Sequence, residues 1–249
     1  MKHVRLAAVL AVASALSALL IFPYLLALTP ALNHARAPLW VVVVAQALQA
    51  GVLAFGLGWV GLALGAPLGL DCPIVRAWVY RLPRRAKELG FLPLSAGLGL
   101  ATGAAIAALD WFAFWPRLPG AFQAQAKAPT LWSGVLASFY GGIAEEILTR
   151  LFLTTLLAWI LVKLSGRRGA AVFVAAIVVG ALAFGAGHLP TAAQLAPLTP
   201  LLVTRTLIVN GAAGIVFGWL YWRRGLEQAM LAHFCCDLVL HVAAPALIR

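Results

Sequence analysis

Residues 141–160 have the sequence "GGIAEEILTRLFLTTLLAWI". This run is long enough to cross a membrane as a helix, which needs about 20 mainly apolar residues. It nevertheless contains two adjacent carboxylates, Glu145 and Glu146, followed by Arg150. The whole chain has only seven acidic residues, and ionisable groups inside a membrane are costly and typically functional. The stretch therefore predicts a membrane helix in which something compensates the two carboxylates.

The composition indicates an integral membrane protein with an all-α fold. Of the 249 residues, 63% are hydrophobic and 10% are charged, whereas about a quarter of a soluble domain is charged. Several separate apolar runs of about 20 residues occur, without the alternation that is typical of a transmembrane barrel. We therefore predict a polytopic transmembrane helical bundle in a lipid bilayer, forming a single domain over residues 1–249.

Hydropathy predicts about seven spans, within a range of six to eight. The first apolar run continues to about Leu28 and no clean A-x-A site follows it, so we interpret it as a span rather than a cleaved signal peptide. The predicted segments are about 4–28, 39–68, 94–115, 131–162, 169–189, 200–222 and 226–248.

The net charge of +11 reflects membrane topology rather than nucleic-acid binding, because the basic residues lie in short clusters between apolar runs without a basic aromatic stripe. By the positive-inside rule, the basic excess in alternate loops predicts a cytoplasmic N-terminus and an outside C-terminus. The alanine- and leucine-rich composition suggests a GC-rich bacterium, and so a bacterial cytoplasmic membrane. The richer side holds Lys2, Arg5, Arg76, Arg81, Arg84, Arg85, Lys87, Lys163, Arg167, Arg168, Arg223 and Arg224. The poorer side holds Arg36, Arg117, Lys127 and Arg249.

The charged residues of the quoted stretch have informative spacing. Glu146 and Arg150 are four residues apart in the order that favours a helical ion pair. That pair leaves Glu145 without a partner of opposite charge. In an α-helix Glu145 lies about 100° around the axis from Glu146, on the same face as Thr149. A carboxylate in apolar surroundings suits a general base. A helix-locking ion pair with a hydrogen-bonded spare carboxylate explains these residues equally well.

Polar residues recur in two later segments. The run "AFGAGHLP" contains His188 after small residues that allow another backbone to approach closely. Pro190 is predicted to end this helix. His233, Asp237 and His241 are spaced i, i+4, i+8 and so form one stripe on the last helix. Each feature alone is explained by a structural histidine or a polar seam between helices. Together with Glu145 they favour one shared site, because all are proton-transfer residues.

The other polar and sulfur-containing residues of the segments are interpreted structurally. Asp110 lies among aromatics near a segment end and is predicted to be an interfacial carboxylate. Arg205 lies close to a helix start and can extend to the interface. The cysteines, at positions 72, 235 and 236, have no metal or disulfide spacing and are predicted to pack in apolar surroundings.

At this point the sequence resembles the CAAX-protease and bacteriocin-processing family of intramembrane endopeptidases. The family pattern E-E-x-x-x-R, F-x-x-x-H and H-x-x-x-N/D on separate membrane helices matches "EEILTR", "FGAGH" and "HFCCD" in the same order. The resemblance covers about residues 135–241, and we expect the catalytic core to span 131–248. It implies a glutamate-dependent endopeptidase that uses no metal or other cofactor and cleaves a membrane-anchored protein or peptide substrate, or its C-terminal tail.

The resemblance also implies roles for individual residues. Glu145 would activate a water held by His188, while His233 and Asp237 would stabilise the oxyanion. The expected catalytic residues are Glu145, His188, His233 and Asp237. The expected supporting residues are Glu146, Arg150, Phe184 and His241.

This sequence departs from the family pattern at three positions. Thr149 and Leu151 replace an aromatic residue and a glycine that are frequent beside the arginine. Asp237 stands where asparagine is common, and an ionised aspartate cannot donate to an oxyanion. Asp237 must therefore be protonated, orient His233 or bind a metal; we expect the protonated, donating form.

Two further functions fit the same residues. The four expected catalytic side chains are competent zinc ligands, so a zinc-dependent intramembrane metalloprotease is the second enzyme hypothesis, although no H-E-x-x-H motif occurs. A non-enzymatic membrane scaffold or immunity protein, with the polar cluster as structural glue, is the third.

Overall fold

A computed structural model describes residues 3–29, 32, 37–83, 86–126 and 129–247. These residues form helices joined by short loops, without a strand in the described part. The α-helices are α1 (Val4–Leu20), α2 (Phe22–Leu28), α3 (Leu39–Gly65), α4 (Pro73–Val79), α5 (Ala86–Gly90), α6 (Leu92–Leu109), α7 (Gly120–Ala126), α8 (Leu131–Tyr140), α9 (Thr155–Ser165), α10 (Ala170–Gly187), α11 (Leu189–Leu195), α12 (Pro200–Arg224), α13 (Leu226–Leu238) and α14 (Ala244–Leu247). Four π-helical segments interrupt the long helices, at Asp110–Phe114, Gly141–Glu145, Ile147–Thr154 and Val239–Ala243.

Six of the described helices are long and apolar enough to cross a membrane, and a bent pair makes a seventh. The bent pair, α1 and α2, has a 41° angle at its break; counted as one span, it is called the first span below. The others run Leu39–Leu68, Lys87–Arg117, Leu131–Ser165, Ala170–Leu195, Pro200–Arg224 and Leu226–Leu247, and are called the second to seventh spans below. The predicted all-α polytopic bundle is therefore confirmed, and the protein is an integral membrane protein.

The span boundaries differ from the prediction mainly at two places. The third span begins near residue 87 rather than 94, and the fifth continues through Pro190 to Leu195 rather than stopping near 189. Pro190 does not end the span because it occupies the first turn of α11, where a missing backbone N–H is tolerated. Of the basic residues in the topology argument, Lys2, Arg36, Arg84, Arg85, Lys127 and Arg249 lie outside the described residues, and the orientation stays a prediction.

Local sequence explains where the long helices begin and end. The hydroxyl oxygens of Thr130 and Thr199 accept from the backbone N–H groups of Ser133 and Leu202, which caps the fourth and sixth spans. The fourth span ends at Gly166 with φ 66°, and the sixth ends at Gly225 with φ 103°. Both values favour glycine, because side chains are strained in that region.

The described part of the loop between the second and third spans contains a short helix and an ion pair. It contains α4, in which Arg76 donates to both carboxylate oxygens of Asp71 at 2.5 and 2.7 Å. These hydrogen bonds raise the pKa of the Arg76 guanidinium. Cys72 is fully buried beside them, and burial raises the pKa of its thiol well above the ordinary value. Its predicted packing role fits a thiol held in the neutral form.

The outer surface of the spans is largely apolar, and the charged pair of the fourth span lies inside the bundle. Large apolar residues such as Trp40, Val52 and Phe112 are exposed on the spans, as expected for a surface that faces lipid. Glu146 and Arg150 are instead fully buried. This distribution places the polar residues of the fourth span inside the bundle.

Glycines of the third span bring it into backbone contact with the seventh span. A Cβ atom at Gly103 would lie 2.8 Å from the carbonyl oxygen of Cys236, and one at Gly99 would collide with the carbonyl group of Ala232. Such close approach is the usual function of small residues at membrane helix crossings. The glycines thus fix the seventh span against the third.

The fourth span contacts the opposite side of the seventh span in the same way. A Cβ atom at Gly142 would lie 2.9 Å from the carbonyl oxygen of Met230, and one at Gly134 would collide with the carbonyl oxygen of His241. The seventh span is therefore held between the third and fourth spans at glycine contacts. This packing positions His233 and Asp237 beside Glu145.

Candidate active site

The fourth span is π-helical at its charged residues, with one π segment ending at Glu145 and the next beginning at Ile147. The α-helical geometry assumed from the sequence is therefore wrong there. Threonine hydroxyls accompany the wider turns: Thr154 donates to the carbonyl of Thr149 at 2.8 Å, and Thr155 to that of Arg150 at 3.3 Å, each five residues back. π-helical segments occur frequently at functional sites.

Glu146 connects the fourth span to the seventh. Its Oε2 lies 3.3 Å from Nε of Arg150, and its Oε1 accepts a 2.8 Å hydrogen bond from Nδ1 of His233. The expected pairing with Arg150 is therefore present despite the π turns. The bond to His233 could not be predicted from local spacing, because 87 residues separate the two.

Arg150 is buried on the side of Glu146 away from solvent. One guanidinium nitrogen donates to the hydroxyl of Thr149, and the guanidinium carbon lies 4.7 Å from the ring centroid of Phe184 and 5.6 Å from that of Phe217. Cation–π contacts of this kind stabilise a cation that water cannot reach. Phe184, expected to be a supporting residue, thus contacts the charge of Arg150.

His233 lies at the centre of the cluster. Its ring stacks on Phe217 with a centroid distance of 4.6 Å and an interplanar angle of 21°. Its Nε2 lies 3.9 Å from Oε2 of Glu145 and 3.6 Å from Oδ1 of Asp237. These distances exceed direct hydrogen bonds, but catalytic hydrogen bonds are often long before substrate binds. Because Nδ1 donates to Glu146, Nε2 is the nitrogen that faces Glu145 and Asp237.

His188 ends α10 at the edge of the same region. Its Nδ1 lies 2.9 Å from the carbonyl oxygen of Phe184, and its ring meets the Phe184 ring edge-on at a centroid distance of 4.7 Å. A carbonyl oxygen only accepts, so Nδ1 is the donor. In neutral His188, Nε2 is then left as an acceptor for a proton of water or substrate.

The four expected catalytic residues line one cavity of about 930 Å³. His241 and Tyr24 also line it, whereas Glu146 and Arg150 are buried behind its wall. The structure therefore brings together Glu145, His188, His233 and Asp237, as the shared-site hypothesis expected. Their chemical roles stay predictions.

Gly141 forms the part of the cavity wall that faces His233 and Asp237. A Cβ atom there would lie 3.0 Å from Nε2 of His233 and would collide with Oδ2 of Asp237. Glycine is therefore required for the close approach of these two side chains. Gly141 was not among the predicted site residues, although the "GG" two residues before the paired glutamates was a signal for close approach.

Asp110 and Arg205 form an ion pair on another part of the cavity wall. Nε and Nη2 of Arg205 donate to the two carboxylate oxygens of Asp110, both at 2.6 Å. Each charge is satisfied by the other across the third and sixth spans, a contact that the separate interpretations of the two residues did not include. Their interfacial position stays a prediction. Opposite charges in two apolar segments were the only sequence signal for this pair.

The arrangement of possible metal ligands in the structure bears on the zinc hypothesis. Within the described residues, no group of three or more histidine, cysteine, aspartate or glutamate side chains is arranged to hold a metal ion. The zinc hypothesis therefore has no ready-made ligand set in this part of the chain, whose site residues are better explained by mutual hydrogen bonds and ion pairs.

Fold and site together define a polytopic helical membrane protein with an acid–base cluster beside a cavity. Residues 127–239 match the family model described as Type II CAAX prenyl endopeptidase Rce1-like. The resemblance found from the three motifs is thus confirmed over this segment, which is similar to a family of peptide hydrolases of the membrane. No curated protein and no solved structure matches the chain.

Proposed function

We propose that the protein is an intramembrane glutamic endopeptidase whose catalytic core spans residues 131–248. The observation that carries this proposal is the different placement of two adjacent glutamates. The Glu145 side chain is 25% exposed and lines the cavity, whereas the Glu146 side chain is fully buried and bonded to His233. Only Glu145 can therefore meet a water or a substrate.

Glu145 acts as the general base in this mechanism. Its carboxylate takes a proton from a water in the cavity, and the resulting hydroxide equivalent attacks the carbonyl carbon of the scissile peptide bond. His188 lies in the same cavity with Nε2 free to accept, which suits a second contact to that water. The proton held by Glu145 then passes to the leaving amine.

His233 supports the developing oxyanion. A His233 protonated on both nitrogens donates through Nδ1 to Glu146 and through Nε2 into the cavity. Glu146 holds the ring in place and is itself held by Arg150. Pre-positioned donors of this kind stabilise charge that develops in the transition state.

The substrate is proposed to be a membrane-anchored protein or peptide. Residues of all seven spans line the cavity, so we expect a peptide bond to reach it from within the bilayer. The family description, CAAX prenyl endopeptidase, makes a prenylated tail the first substrate to test. A peptide with a single apolar span and no lipid is the second.

The decisive experiment is cleavage of two fluorescence-quenched peptides in proteoliposomes, one farnesylated with a CAAX tail and one with a transmembrane segment. We expect Glu145→Gln to lower the cleavage rate about 10²–10⁴-fold while the protein stays folded, because the amide keeps the shape but not the base. Glu88→Gln, a carboxylate change outside the cavity, is the matched control and should cleave normally.

Three outcomes would contradict this proposal. Full activity of Glu145→Gln excludes a glutamate base. Loss of wild-type activity with a strong chelator, restored by zinc, transfers the mechanism to the metalloprotease hypothesis. Failure of the wild type to cleave either peptide rejects these substrate classes and favours the scaffold hypothesis.

We also propose a bacterial cytoplasmic membrane, from the alanine- and leucine-rich composition. The uneven distribution of basic residues between alternate loops supports an N-terminus in the cytoplasm. Reporter fusions active only in the cytoplasm test this. Activity of a fusion after the seventh span but not of one after the sixth would reverse the orientation.

A further inference from the structure

Tyr24 reaches the candidate site from outside the segment that matches the family. Its hydroxyl oxygen lies 3.0 Å from Nδ1 of His241, although 217 residues separate them. The two rings meet edge-on, with centroids 5.1 Å apart and an interplanar angle of 62°. Both residues lie beyond residues 127–239, so the family match does not account for this contact.

The first span is built to hold Tyr24 at this place. Its bend at Ile21 separates α1 from α2, and Pro23 occupies the first turn of α2. The side-chain amide of Gln125 donates to the carbonyls of Ala27 and Leu28 at 2.7 and 2.9 Å. These bonds fix the end of α2 that follows Tyr24, so the hydroxyl is held in position rather than being a mobile surface group.

His241 links Tyr24 to Asp237. It lies in the π segment Val239–Ala243, and its Nε2 is 3.8 Å from Oδ1 of Asp237. The same Oδ1 lies 3.6 Å from Nε2 of His233, so Asp237 stands between two imidazole rings. From the fourth span, Glu145 and the backbone at Gly141 also face this cluster.

We propose that Tyr24 and His241 are positioning residues for Asp237, an inference that rests on the proposed function. The Tyr24 hydroxyl donates to Nδ1 of His241, which fixes the tautomer that carries its proton on Nε2. That N–H group faces Asp237 across 3.8 Å, and it holds the carboxylate beside His233 as an acceptor when this contact shortens with substrate bound.

The opposite tautomer fits an ionised Asp237 poorly. If Nδ1 of His241 carried the proton and donated to Tyr24, the lone pair of Nε2 would face a carboxylate oxygen that also has only lone pairs. That arrangement is favourable only when Asp237 is protonated and donates. The tautomer of His241 therefore distinguishes an orienting Asp237 from a donating one.

The first test compares kinetics of single and double variants on the quenched peptide that the wild type cleaves faster. We expect Tyr24→Phe to lower kcat about tenfold with KM unchanged, because one hydrogen bond that orients the site is lost. His241→Gln, which keeps an amide near the Nε2 position and removes the acceptor for Tyr24, should lower kcat similarly. Adding Tyr24→Phe to His241→Gln should then have no further effect.

Tyr221→Phe is the matched control. Tyr221 makes a 2.7 Å hydrogen bond to Thr155 between two spans and does not line the cavity. The Tyr221→Phe variant therefore loses a tyrosine hydroxyl and one interhelical hydrogen bond, as Tyr24→Phe does, but at a position that does not line the cavity. A normal kcat for Tyr24→Phe, an effect confined to KM, or additive losses in the double variant would each overturn the proposal.

The second test needs no substrate. The ¹⁵N chemical shifts of histidine in nanodiscs identify which ring nitrogen carries the proton, and His241→Gln assigns the signal among the five histidines. We expect the Nε2–H tautomer of His241 in the wild type and a mixed population in Tyr24→Phe. The Nδ1–H tautomer in the wild type would overturn the proposal even if Glu145→Gln is inactive, whereas an active Glu145→Gln would reject the proposed function alone.

Discussion

Two ion pairs within the described bundle can be compared, and the pair with the shorter hydrogen bonds is the more exposed one. Asp110 and Arg205 make two hydrogen bonds of 2.6 Å, yet both side chains are nearly one-fifth exposed at the cavity. Glu146 and Arg150 make one longer contact of 3.3 Å but are fully buried. The better-formed pair is thus the one that water can reach.

The difference shows what each pair contributes. The Asp110–Arg205 pair is closed on itself, and either charge can be solvated when the pair opens. The Glu146–Arg150 pair is held by further groups, His233 on one side and the rings of Phe184 and Phe217 on the other. Buried pairs contribute little net stability, but removal of one partner leaves an uncompensated charge. The buried pair therefore fixes the positions of site residues more than it stabilises the fold.

Removing the buried cation should have the largest effect. We expect Arg150→Ala to lower the free energy of unfolding by about 3–5 kcal/mol and to abolish cleavage, because Glu146 is left buried without its cation. Reversible unfolding in mixed micelles measures the stability. Arg205→Ala is the comparison, and an equal loss in both variants would contradict the distinction between the two pairs.

A methyl group added at Gly141, where the fourth and seventh spans approach closely, should have the second-largest effect. Gly141→Ala places a methyl group against His233 and Asp237, so we expect about 1–3 kcal/mol of destabilisation and a strong loss of activity. Gly97→Ala is the matched control, since a Cβ atom there meets nothing within 4 Å. Normal activity of Gly141→Ala would show that the site residues can move apart without consequence.

Changing Asp237 should affect activity more than stability. Because Asp237 lies between two imidazole rings, we expect Asp237→Asn to lower kcat about tenfold, or ~1.4 kcal/mol, at every pH. The measurement is a pH–rate profile of both proteins on one substrate. Retained activity with a flatter decline at high pH would instead support the donating role expected from the family resemblance.

Breaking the Asp110–Arg205 ion pair should have the smallest effect on stability. We expect a double-mutant cycle of Asp110→Asn and Arg205→Gln to give a coupling energy of about 1 kcal/mol or less, as for other solvent-accessible pairs. A coupling above 3 kcal/mol would mean that the cavity wall is as desolvated as the buried cluster.

The sequence predicts the features that depend on hydropathy and local spacing. The spans follow from runs of apolar residues, and the pairing of Glu146 with Arg150 follows from their separation by four positions. The convergence of Glu145, His188, His233 and Asp237 was predicted because proton-transfer residues are too costly in a membrane to be scattered without a reason.

The remaining features depend on contacts between distant segments. The π turns of the fourth span accompany threonine hydroxyls bonded five residues back, a pattern that apolar periodicity does not encode. Asp110 and Arg205 are 95 residues apart, and each alone resembles an interface residue. Tyr24 was missed because an interhelical hydroxyl contact leaves no periodic signal in the sequence.

The position of the seventh span in the bundle has a consequence for biosynthesis. In the sequence, Glu146 precedes His233 by 87 residues. During translation both glutamates therefore enter the bilayer before their imidazole partner has been synthesised. The glycine contacts that draw the seventh span between the third and fourth form only after it inserts. The nascent polypeptide therefore carries the proposed base without its oxyanion partner, and any hydrolytic activity starts only when translation has passed the seventh span.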